Sequence, residues 1–246
     1  MTWFRCAETR PWASMRLFCL PHAGGSAVFY RTWAKEVSPA VEVHAVQYPG
    51  RADRMRDPMV TDAGQLVRLV AGAMAPLTDR PFALFGHSMG AVLAYEVARL
   101  LQERGRPPVH VFASGARPPH DRGDDERVSD RDDDGVVDAM VRLGGTDAEA
   151  LQNPELRELV LPYIRNDFKL IEDYAHTAAP RLKVPLTALI GDADPHVDEA
   201  RAARWAELTE GRFALRAFPG DHFYLTPRQA DVTAEIMRTL EVPPSP

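Results

Sequence analysis

The fold of this chain is decided by the stretch Phe82-Ala83-Leu84-Phe85-Gly86-His87-Ser88-Met89-Gly90-Ala91. An apolar run long enough for one buried strand ends in the pattern G-x-S-x-G, and a helical pattern begins at once. This order predicts a nucleophile elbow, in which Ser88 lies on a strained turn that holds its hydroxyl above the sheet, at the positive end of the following helix. Gly86 and Gly90 lack the Cβ atoms that would clash where the strand and the helix meet.

Predicted strands and helices alternate on both sides of the elbow. The apolar patterns predict strands at 15–20, 41–46, 82–86, 109–113, 184–190 and 212–218, and helices at 26–37, 61–73, 88–104, 198–210 and 227–240. Ser26 is expected to cap the first helix, with Val28, Phe29, Trp33 and Val37 on its apolar face. Residues 1–13 are expected to be a poorly patterned extension. The alternation predicts an α/β fold with a mostly parallel sheet covered by helices on both faces.

The alternation breaks after Gly115. Residues 116–135 are rich in Pro, Asp and Arg, which indicates a solvated, partly mobile loop; its aspartates (121, 124, 125, 130, 132, 133 and 134) lack the pattern of an EF-hand calcium site. Residues 136–178 are predicted to form two or three short helices with a break at 143–145. We interpret residues 117–178 as a helical lid over the site, and residues 1–116 and 179–246 as the core. The alternative is that these helices only enlarge the core.

Composition excludes several classes of protein. The chain has 246 residues, 45% of them hydrophobic, which suits one α/β domain with an insertion. The net charge of −6 and the lack of a Lys/Arg-rich run argue against nucleic-acid binding. The first twenty residues hold no signal-peptide hydrophobic region, and no window approaches the length of a membrane span. We therefore expect a soluble cytoplasmic protein.

Cys6 and Cys19 cannot build a disulfide framework or a zinc site, and Cys19 is expected in the core.

A serine nucleophile needs a base and a third group that orients this base. Among eight histidines, His222 follows the last strand, at the sheet edge where α/β sites form, and completes the chain order Ser, Asp, His. It is the predicted base, with a structural role as the alternative. Asp194 is the predicted orienting acid and Asp192 the alternative, whose other role would be to bond backbone donors in the turn. His87 is expected to point away from the site.

Attack on an acyl carbonyl creates an oxyanion that needs two preset N–H donors. One is expected to be the N–H of Met89, the residue after the nucleophile, and the other the N–H of Ala23, in the loop after the 15–20 strand. Gly24 and Gly25 would let the backbone approach the substrate closely, although a tight strand-to-helix turn would also use them. This chemistry requires no metal and no cofactor.

Six sequence motifs carry a resemblance to a known family. They are Leu20-Pro21-His22-Ala23-Gly24-Gly25-Ser26, Tyr48-Pro49-Gly50-Arg51, Phe85-Gly86-His87-Ser88-Met89-Gly90-Ala91, Leu143-Gly144-Gly145-Thr146, Gly191-Asp192-Ala193-Asp194-Pro195 and Pro219-Gly220-Asp221-His222-Phe223. With these motifs in this order, the chain resembles the type II thioesterases of polyketide and nonribosomal-peptide assembly lines, within the α/β-hydrolase superfamily. The resemblance implies Ser88, Asp194 and His222 as the triad, and Ala23 and Met89 as oxyanion donors.

The resemblance also implies a substrate and a partner. Such enzymes hydrolyse acyl groups from the phosphopantetheine arm of acyl or peptidyl carrier proteins, and they clear stalled or wrongly decarboxylated units in antibiotic biosynthesis. The arm arrives with the substrate, so no resident cofactor is expected. The lid is expected to shape an acyl chamber with side chains from Leu151, Phe168, Ile171 and Tyr174. We expect a carrier protein as partner, no nucleic acid, no membrane, and a monomer.

Three other functions use parts of the same pattern. A general carboxylesterase or lipase would carry the same triad and would differ only in its lid and in the family motifs quoted above. A catalytically idle binding module would need a broken triad, whereas all members are present. A chain-releasing or cyclising thioesterase domain could be cut from a larger synthase; the start at Met1 and the short tail favour a standalone enzyme.

Overall fold

The computed structural model describes residues 3–121, 126–144, 151, 153–178 and 180–242. Within these residues one sheet contains seven strands: β1 (Phe4–Arg5), β2 (Met15–Leu20), β3 (Val41–Val46), β4 (Phe82–His87), β5 (His110–Ser114), β6 (Leu186–Gly191) and β7 (Phe213–Phe218). Their order is β1-β3-β2-β4-β5-β6-β7, and every neighbouring pair except β1 with β3 is parallel. The predicted mostly parallel sheet is confirmed.

Helices cover both faces of this sheet, as predicted. They are α1 (Ala63–Met74), α2 (Met89–Glu103), α3 (Asp133–Leu143), α4 (Pro154–Asp173), α5 (Glu199–Ala203) and α6 (Gln229–Thr239). On one face, α1, α2 and α5 bury their apolar sides in a cluster with the strands. On the other face, α6 and the segment 27–37 form a second buried cluster, which includes Cys19. Parallel strands buried on both faces explain the continuous apolar runs in the sequence.

The N-terminal segment is not the unpatterned extension that we expected. Phe4 and Arg5 pair antiparallel with the end of β3, with Phe4 opposite Val46. The Phe4 ring packs edge-on against Phe18, with centroids 5.2 Å apart. Two residues are too few to produce a period-2 pattern, so the sequence carried no signal for this strand.

The predicted helix at 26–37 is also wrong in type. The chain forms two 3₁₀ helices, Ala27–Tyr30 and Trp33–Lys35, and the Ser26 side chain makes no capping hydrogen bond. Val28, which was expected on the buried face, is 63% exposed. The buried apolar positions are Ala27, Tyr30, Trp33, Ala34 and Val37, of which Ala27, Tyr30 and Trp33 are three residues apart. Their three-residue spacing suits a 3₁₀ helix, in which side chains at i and i+3 lie above one another.

The other helices differ from prediction mainly at their ends. Asp62 caps α1, since its Oδ1 accepts a hydrogen bond from the Gln65 N–H at 2.6 Å. The predicted start of this helix is confirmed, and Leu69 is one apolar residue that it leaves exposed. The predicted helix at 198–210 is α5 followed by a 3₁₀ turn, Arg204–Leu208. None of the helices in the described ranges is both long and apolar enough to cross a membrane.

Part of the acidic segment forms the start of α3 and not a loop. Asp132 caps this helix and accepts from the Gly135 N–H at 2.8 Å. The next two residues, Asp133 and Asp134, lie in the first turn, where the helix dipole favours negative charge. They pair with arginines of α4, at 2.7 Å each. The capping and ion pairing explain these aspartates without a metal, whereas Asp124 and Asp125 lie outside the described residues.

The helices α3 and α4 form most of the described part of the predicted lid. They share a small buried cluster of their own, built on Val136, Leu161 and Ile164. Further along α4, Leu170 belongs to the main core. This helix therefore contributes both to the insertion and to the core. The boundaries at 117 and 178 stay a prediction, and Gly145 and Thr146 lie outside the described residues.

Candidate active site

The elbow has the predicted conformation. Ser88 joins β4 to α2 with φ 55° and ψ −120°, which is unusual for a residue with a side chain. A Cβ on Gly86 would lie 2.0 Å from the Gly90 carbonyl oxygen, and a Cβ on Gly90 would lie 2.1 Å from that of Leu20. The predicted reason for both glycines is therefore confirmed. The backbone N–H of Ser88 donates to the Ser114 carbonyl at 2.8 Å, which ties the turn to the end of β5.

His222 lies in the loop after β7 and contacts Asp194, in the loop after β6. The distance from His222 Nδ1 to Asp194 Oδ2 is 2.7 Å, and the two side chains are 4% and 0% exposed. The other carboxylate oxygen, Oδ1, accepts from the His196 N–H at 2.9 Å. With Nδ1 held by the carboxylate, the neutral ring can accept a proton only through Nε2.

The predicted alternative, Asp192, and the acid next to His222, Asp221, have other partners. Asp192 Oδ1 accepts from the Gly220 N–H at 3.0 Å, so this residue bonds a backbone donor in the turn, the role considered as its alternative. Asp221 Oδ1 accepts from the Phe223 N–H at 2.8 Å. Among these carboxylates, Asp194 is the one hydrogen-bonded to His222.

His222 and the elbow share close neighbours. The rings of His87 and His222 have centroids 5.0 Å apart, so the expectation that His87 points away from the site is wrong. Gly115, with φ +57°, lies beside both rings. A Cβ there would be 2.5 Å from His87 Cε1 and 3.4 Å from His222 Cε1. These contacts bring the proposed base next to the residues that flank Ser88.

A buried polar chain under the site was missed by the sequence reasoning. Ser114 Oγ lies 2.9 Å from His87 Nδ1 and 2.7 Å from the Tyr224 hydroxyl oxygen. Since the Ser114 carbonyl also holds the Ser88 N–H, this one residue connects β5, the elbow and the His222 loop. The only sequence signal was position: Ser114 directly follows the strand predicted at 109–113, and Tyr224 lies two residues after His222.

The loop after β2 lies against the start of α2. The close approach of Leu20 to Gly90, described above, brings the loop that carries Ala23 alongside Met89. Two buried hydroxyls fix the loop's first carbonyls: Tyr30 donates to Leu20 at 3.1 Å, and Tyr48 donates to Pro21 at 3.2 Å. The two predicted oxyanion donors therefore come from neighbouring elements, and their role stays a prediction.

The glycines of this loop have a reason that the sequence did not reveal. Gly24 has φ +77°, and a Cβ there would lie 3.0 Å from Ile164 Cγ1 of α4. At Gly25 a Cβ would lie 2.9 Å from the imidazole of His22. Packing against α4 and against His22 thus requires small residues here, whatever the substrate requires.

The four residues predicted to line the acyl chamber lie in the lid and at its boundary with the core. Leu151 is buried. Phe168 packs against the cluster shared by α3 and α4. Ile171 and Tyr174 pack against the main core, and the Tyr174 hydroxyl donates to Glu96 Oε1 at 2.5 Å. None of these contacts involves Ser88 or His222, so the composition of the chamber stays a prediction.

One group in the described part of the chain has the side chains of a metal site. Cys6, Glu42 and His44 hold ligand atoms within 4.8 Å of one another, near β1 and β3. The Glu42 carboxylate already bonds His44 Nε2 at 2.7 Å, Arg16 Nε at 3.3 Å and the Arg10 N–H at 2.7 Å. Because the Arg16 guanidinium already neutralises the Glu42 carboxylate, these side chains form an internal ion-pair network. The network is remote from the elbow.

Buried histidines make the stability of the fold depend on pH. Burial, assisted by the nearby His222 and Arg51, lowers the pKa of His22 to about 3. Burial lowers the pKa of His110 to about 4 and that of His87 well below its usual value. The unfolded chain binds protons at these positions near pH 6.5, whereas the folded chain does not. The free energy of unfolding therefore decreases as the pH falls below 6.5.

We expect the three histidines together to give a slope of up to about 4 kcal/mol per pH unit between pH 6 and pH 5. Urea midpoints followed by circular dichroism from pH 8 to pH 5 measure it. The variant His110→Gln, remote from the elbow, should reduce the slope by about 1.4 kcal/mol per pH unit. A flat profile in the unmodified protein would contradict the expectation.

Comparison with known proteins decides the family. A family model described as a thioesterase domain matches residues 15–241. The chain belongs to this thioesterase family. The thioesterase is 44% identical, over 238 residues, to a probable cadicidin biosynthesis thioesterase from Streptomyces griseus; the match covers 97% of this chain and 66%, just under two thirds, of that relative. It is 40% identical, over 236 residues, to thioesterase PikA5 from Streptomyces venezuelae, covering 95% and 84%.

Solved structures agree with the family. The type II thioesterase BorB from the borrelidin biosynthetic cluster matches the thioesterase with a TM-score of 0.89 and 36% identity, over 96% of each chain. The predicted α/β-hydrolase fold and the resemblance to type II thioesterases of polyketide and nonribosomal-peptide clusters are confirmed. The thioesterase is therefore a serine hydrolase, and the idle binding module is excluded as a function.

Proposed function

We propose that this thioesterase hydrolyses acyl groups from the phosphopantetheine arm of acyl or peptidyl carrier proteins, and so removes stalled or wrongly decarboxylated units from a polyketide or nonribosomal-peptide synthase. The observation that carries the proposal is the buried 2.7 Å contact between His222 and Asp194 beside the Ser88 elbow. A base oriented by a carboxylate, next to a serine on a strained turn, is the machinery of acyl transfer. The named relatives support the choice of pathway.

The first half of the reaction forms an acyl-enzyme. Ser88 Oγ attacks the thioester carbonyl while His222 Nε2 takes its proton, and Asp194 stabilises the imidazolium that results. The negative charge on the carbonyl oxygen is stabilised by the N–H groups of Ala23 and Met89. The carbon–sulfur bond then breaks, and the pantetheine sulfur leaves as a thiol with the proton from His222.

The second half releases a free acid. His222 Nε2 removes a proton from water, which attacks the ester on Ser88 through a second tetrahedral intermediate with the same oxyanion donors. Collapse of this intermediate returns the proton to Ser88 Oγ. Phosphopantetheine arrives and leaves with the carrier protein, so this chain's own side chains perform every proton transfer.

The acyl chain is proposed to occupy a chamber under the lid, with walls from Leu151, Phe168, Ile171 and Tyr174. The loop 21–25 and the start of α2 would form its floor. Short acyl units fit an editing role, because stalled synthases carry extender-derived groups as well as full-length chains.

The choice between an editing thioesterase and a general esterase can be tested by the leaving group. We expect kcat/KM for an acetyl or propionyl carrier-protein thioester to exceed that for the matching oxygen ester by at least about tenfold. The reason is that contacts to the arm and the carrier protein stabilise the transition state as well as the bound substrate. Steady-state hydrolysis of acetyl, propionyl, malonyl and longer acyl groups on one carrier measures it. The N-acetylcysteamine thioester of each acid is the matched control.

Two results would reject the proposed function. Equal or faster hydrolysis of the oxygen ester would favour the carboxylesterase alternative. Turnover restricted to long acyl groups would favour a chain-releasing thioesterase, because an editing enzyme must also accept short units.

A further inference from the structure

A buried ion pair joins the lid helix α4 to the loop after β3. Arg51 Nη2 donates to Asp167 Oδ1 at 2.7 Å, and Arg51 Nη1 donates to Asp167 Oδ2, so the contact is bidentate. The two side chains are each 3% exposed. The two residues are 116 positions apart in the chain. Charges buried this deeply are usually paired and hydrogen-bonded, and here both terminal nitrogens of Arg51 and both carboxylate oxygens of Asp167 have partners.

The same pair holds the loop that carries the proposed oxyanion donor. Asp167 Oδ2 also accepts from the Gly24 N–H at 2.8 Å, which belongs to the peptide group between Ala23 and Gly24. Arg51 Nη1 also donates to the Gly25 carbonyl at 3.2 Å. One ion pair therefore bonds a donor and an acceptor of the backbone immediately after Ala23. Charge-assisted hydrogen bonds of this kind are stronger than neutral ones.

The surroundings leave the pair little freedom. The Arg51 guanidinium lies over the rings of Tyr48 and Tyr163, at 5.3 and 4.8 Å from their centroids. Tyr48 is the residue whose hydroxyl bonds the Pro21 carbonyl in the same loop. On the α4 side, Asn166 Nδ2 donates to the Val60 carbonyl at 3.0 Å, which also connects this helix to the core.

We propose that Arg51 and Asp167 are positioning residues that set the direction of the Ala23 N–H for oxyanion stabilisation, and that they do so only while α4 is seated on the core. The inference rests on the proposed function, because it takes Ala23 as an oxyanion donor. It makes the lid helix part of the catalytic arrangement: α4 supplies the carboxylate that fixes the loop. An acyl chamber and an oxyanion site are then assembled by the same helix.

A purely structural ion pair would give the same contacts, so the test must separate the two roles. The double variant Arg51→Met with Asp167→Leu removes both charges together, a change that folded proteins often tolerate. Because the loop loses its acceptor and its donor, we expect kcat for the acetyl N-acetylcysteamine thioester to fall about 10²–10³-fold, the loss typical of one oxyanion donor, with KM within about twofold. The melting temperature and circular dichroism show whether the fold is kept.

A second readout reports on the oxyanion itself. An acetyl-like trifluoromethyl ketone forms a tetrahedral adduct with the serine, with negative charge on the former carbonyl oxygen. Its inhibition constant should rise by about the same factor as kcat falls, because both depend on the same donor. A non-reactive thioether analogue of the substrate carries no such charge, and its affinity should stay unchanged.

The matched control is another buried ion pair. Arg16 and Glu42 are the second residues of β2 and β3, at the ends of these strands away from the elbow, and their side chains are each 9% exposed. The variant Arg16→Met with Glu42→Gln should leave kcat and the ketone affinity unchanged. If the Arg51/Asp167 double variant does not fold, Asp167→Asn, which keeps the shape but removes the charge, should show a loss of at least about tenfold in both constants.

The outcomes distinguish this inference from the proposed function. If the unmodified protein hydrolyses the thioester and binds the ketone, while a folded Arg51/Asp167 variant keeps both constants or changes KM alone, the positioning role is wrong. If the unmodified protein does neither, the proposed function fails first.

Discussion

Replacing Ser88 by alanine is expected to lower thioester hydrolysis by about 10⁵–10⁶-fold and to leave the fold intact. The chemical reason is that no acyl-enzyme can form without the hydroxyl. The structural reason is that the Ser88 side chain makes no capping bond to α2, and its N–H, which alanine keeps, makes the bond to Ser114. Steady-state hydrolysis of an acyl-carrier thioester and a thermal melt measure the two halves of this expectation.

The variant Ser114→Ala is the matched control, since it removes a serine hydroxyl a few ångströms below the elbow. It leaves His87 Nδ1 and the Tyr224 hydroxyl without their shared partner, so we expect a stability loss of about 1–3 kcal/mol for each buried group left unpaired. Most of the turnover should remain. Residual activity above about 1% in a folded Ser88→Ala protein would rule out this serine as the nucleophile.

The elbow could be predicted because its geometry is local. Gly86, Ser88 and Gly90 lie within five residues. A Cβ atom on Gly86 or Gly90 would lie only 2.0 or 2.1 Å from a backbone oxygen, so both positions require glycine. Neither contact depends on the rest of the fold beyond the β2 strand. A short, strained turn therefore leaves a legible pattern in the sequence.

The position of His222 beside Asp194 followed from topology. The strands β6 and β7 are parallel neighbours that end in register, Gly191 opposite Phe218, so the loops that follow them meet at one edge of the sheet. This rule places two loops together but does not choose between carboxylates within one loop. The sequence favoured Asp194 and kept Asp192 as the alternative; the contact of Asp194 with His222 depends on which way each side chain leaves the turn, which only the coordinates give.

The arrangement of His87 shows where local rules end. Side chains alternate along a strand, so a residue next to the nucleophile is expected to face another direction. That rule gives the side of the sheet on which His87 lies. It does not say which loop will cover that side, and here it is the loop of His222 and Phe223, whose rings lie 5.0 and 5.2 Å from that of His87.

The pairing of Asp167 with Arg51 was beyond the sequence for a similar reason. Asp167 follows the buried residues Leu161 and Ile164 at helical spacing on α4, and an acid in a buried stripe signals that a partner exists. The chain has 29 lysines and arginines, and the true partner lies 116 residues away. Only the packing of α4 on the core selects it.

Asparagine at position 194 is expected to lower kcat by about 10⁴-fold, the loss found when the triad carboxylate of a serine protease becomes an amide. The Asp194 carboxylate lies 2.7 Å from Nδ1 of His222 and can only accept there, so it favours the tautomer of the neutral ring that carries its proton on Nδ1 and has Nε2 available as the base. An amide in its place can present its NH₂ to Nδ1, which selects the opposite tautomer. The shape of the buried site is unchanged, so KM and the melting temperature should change little.

Asp192→Asn is the control that makes this prediction specific, because it puts the same change two residues away in the same turn. Its Oδ1 accepts from the Gly220 N–H, and an amide oxygen accepts equally well, so we expect kcat within about threefold of the unmodified protein. Pre-steady-state hydrolysis of one thioester by both variants gives the comparison. Similar losses in the two would mean that the turn as a whole matters, and a larger loss at 192 would transfer the orienting role to that residue. A 10⁴-fold difference between two isosteric changes in one loop can arise only if the base depends on the carboxylate it touches.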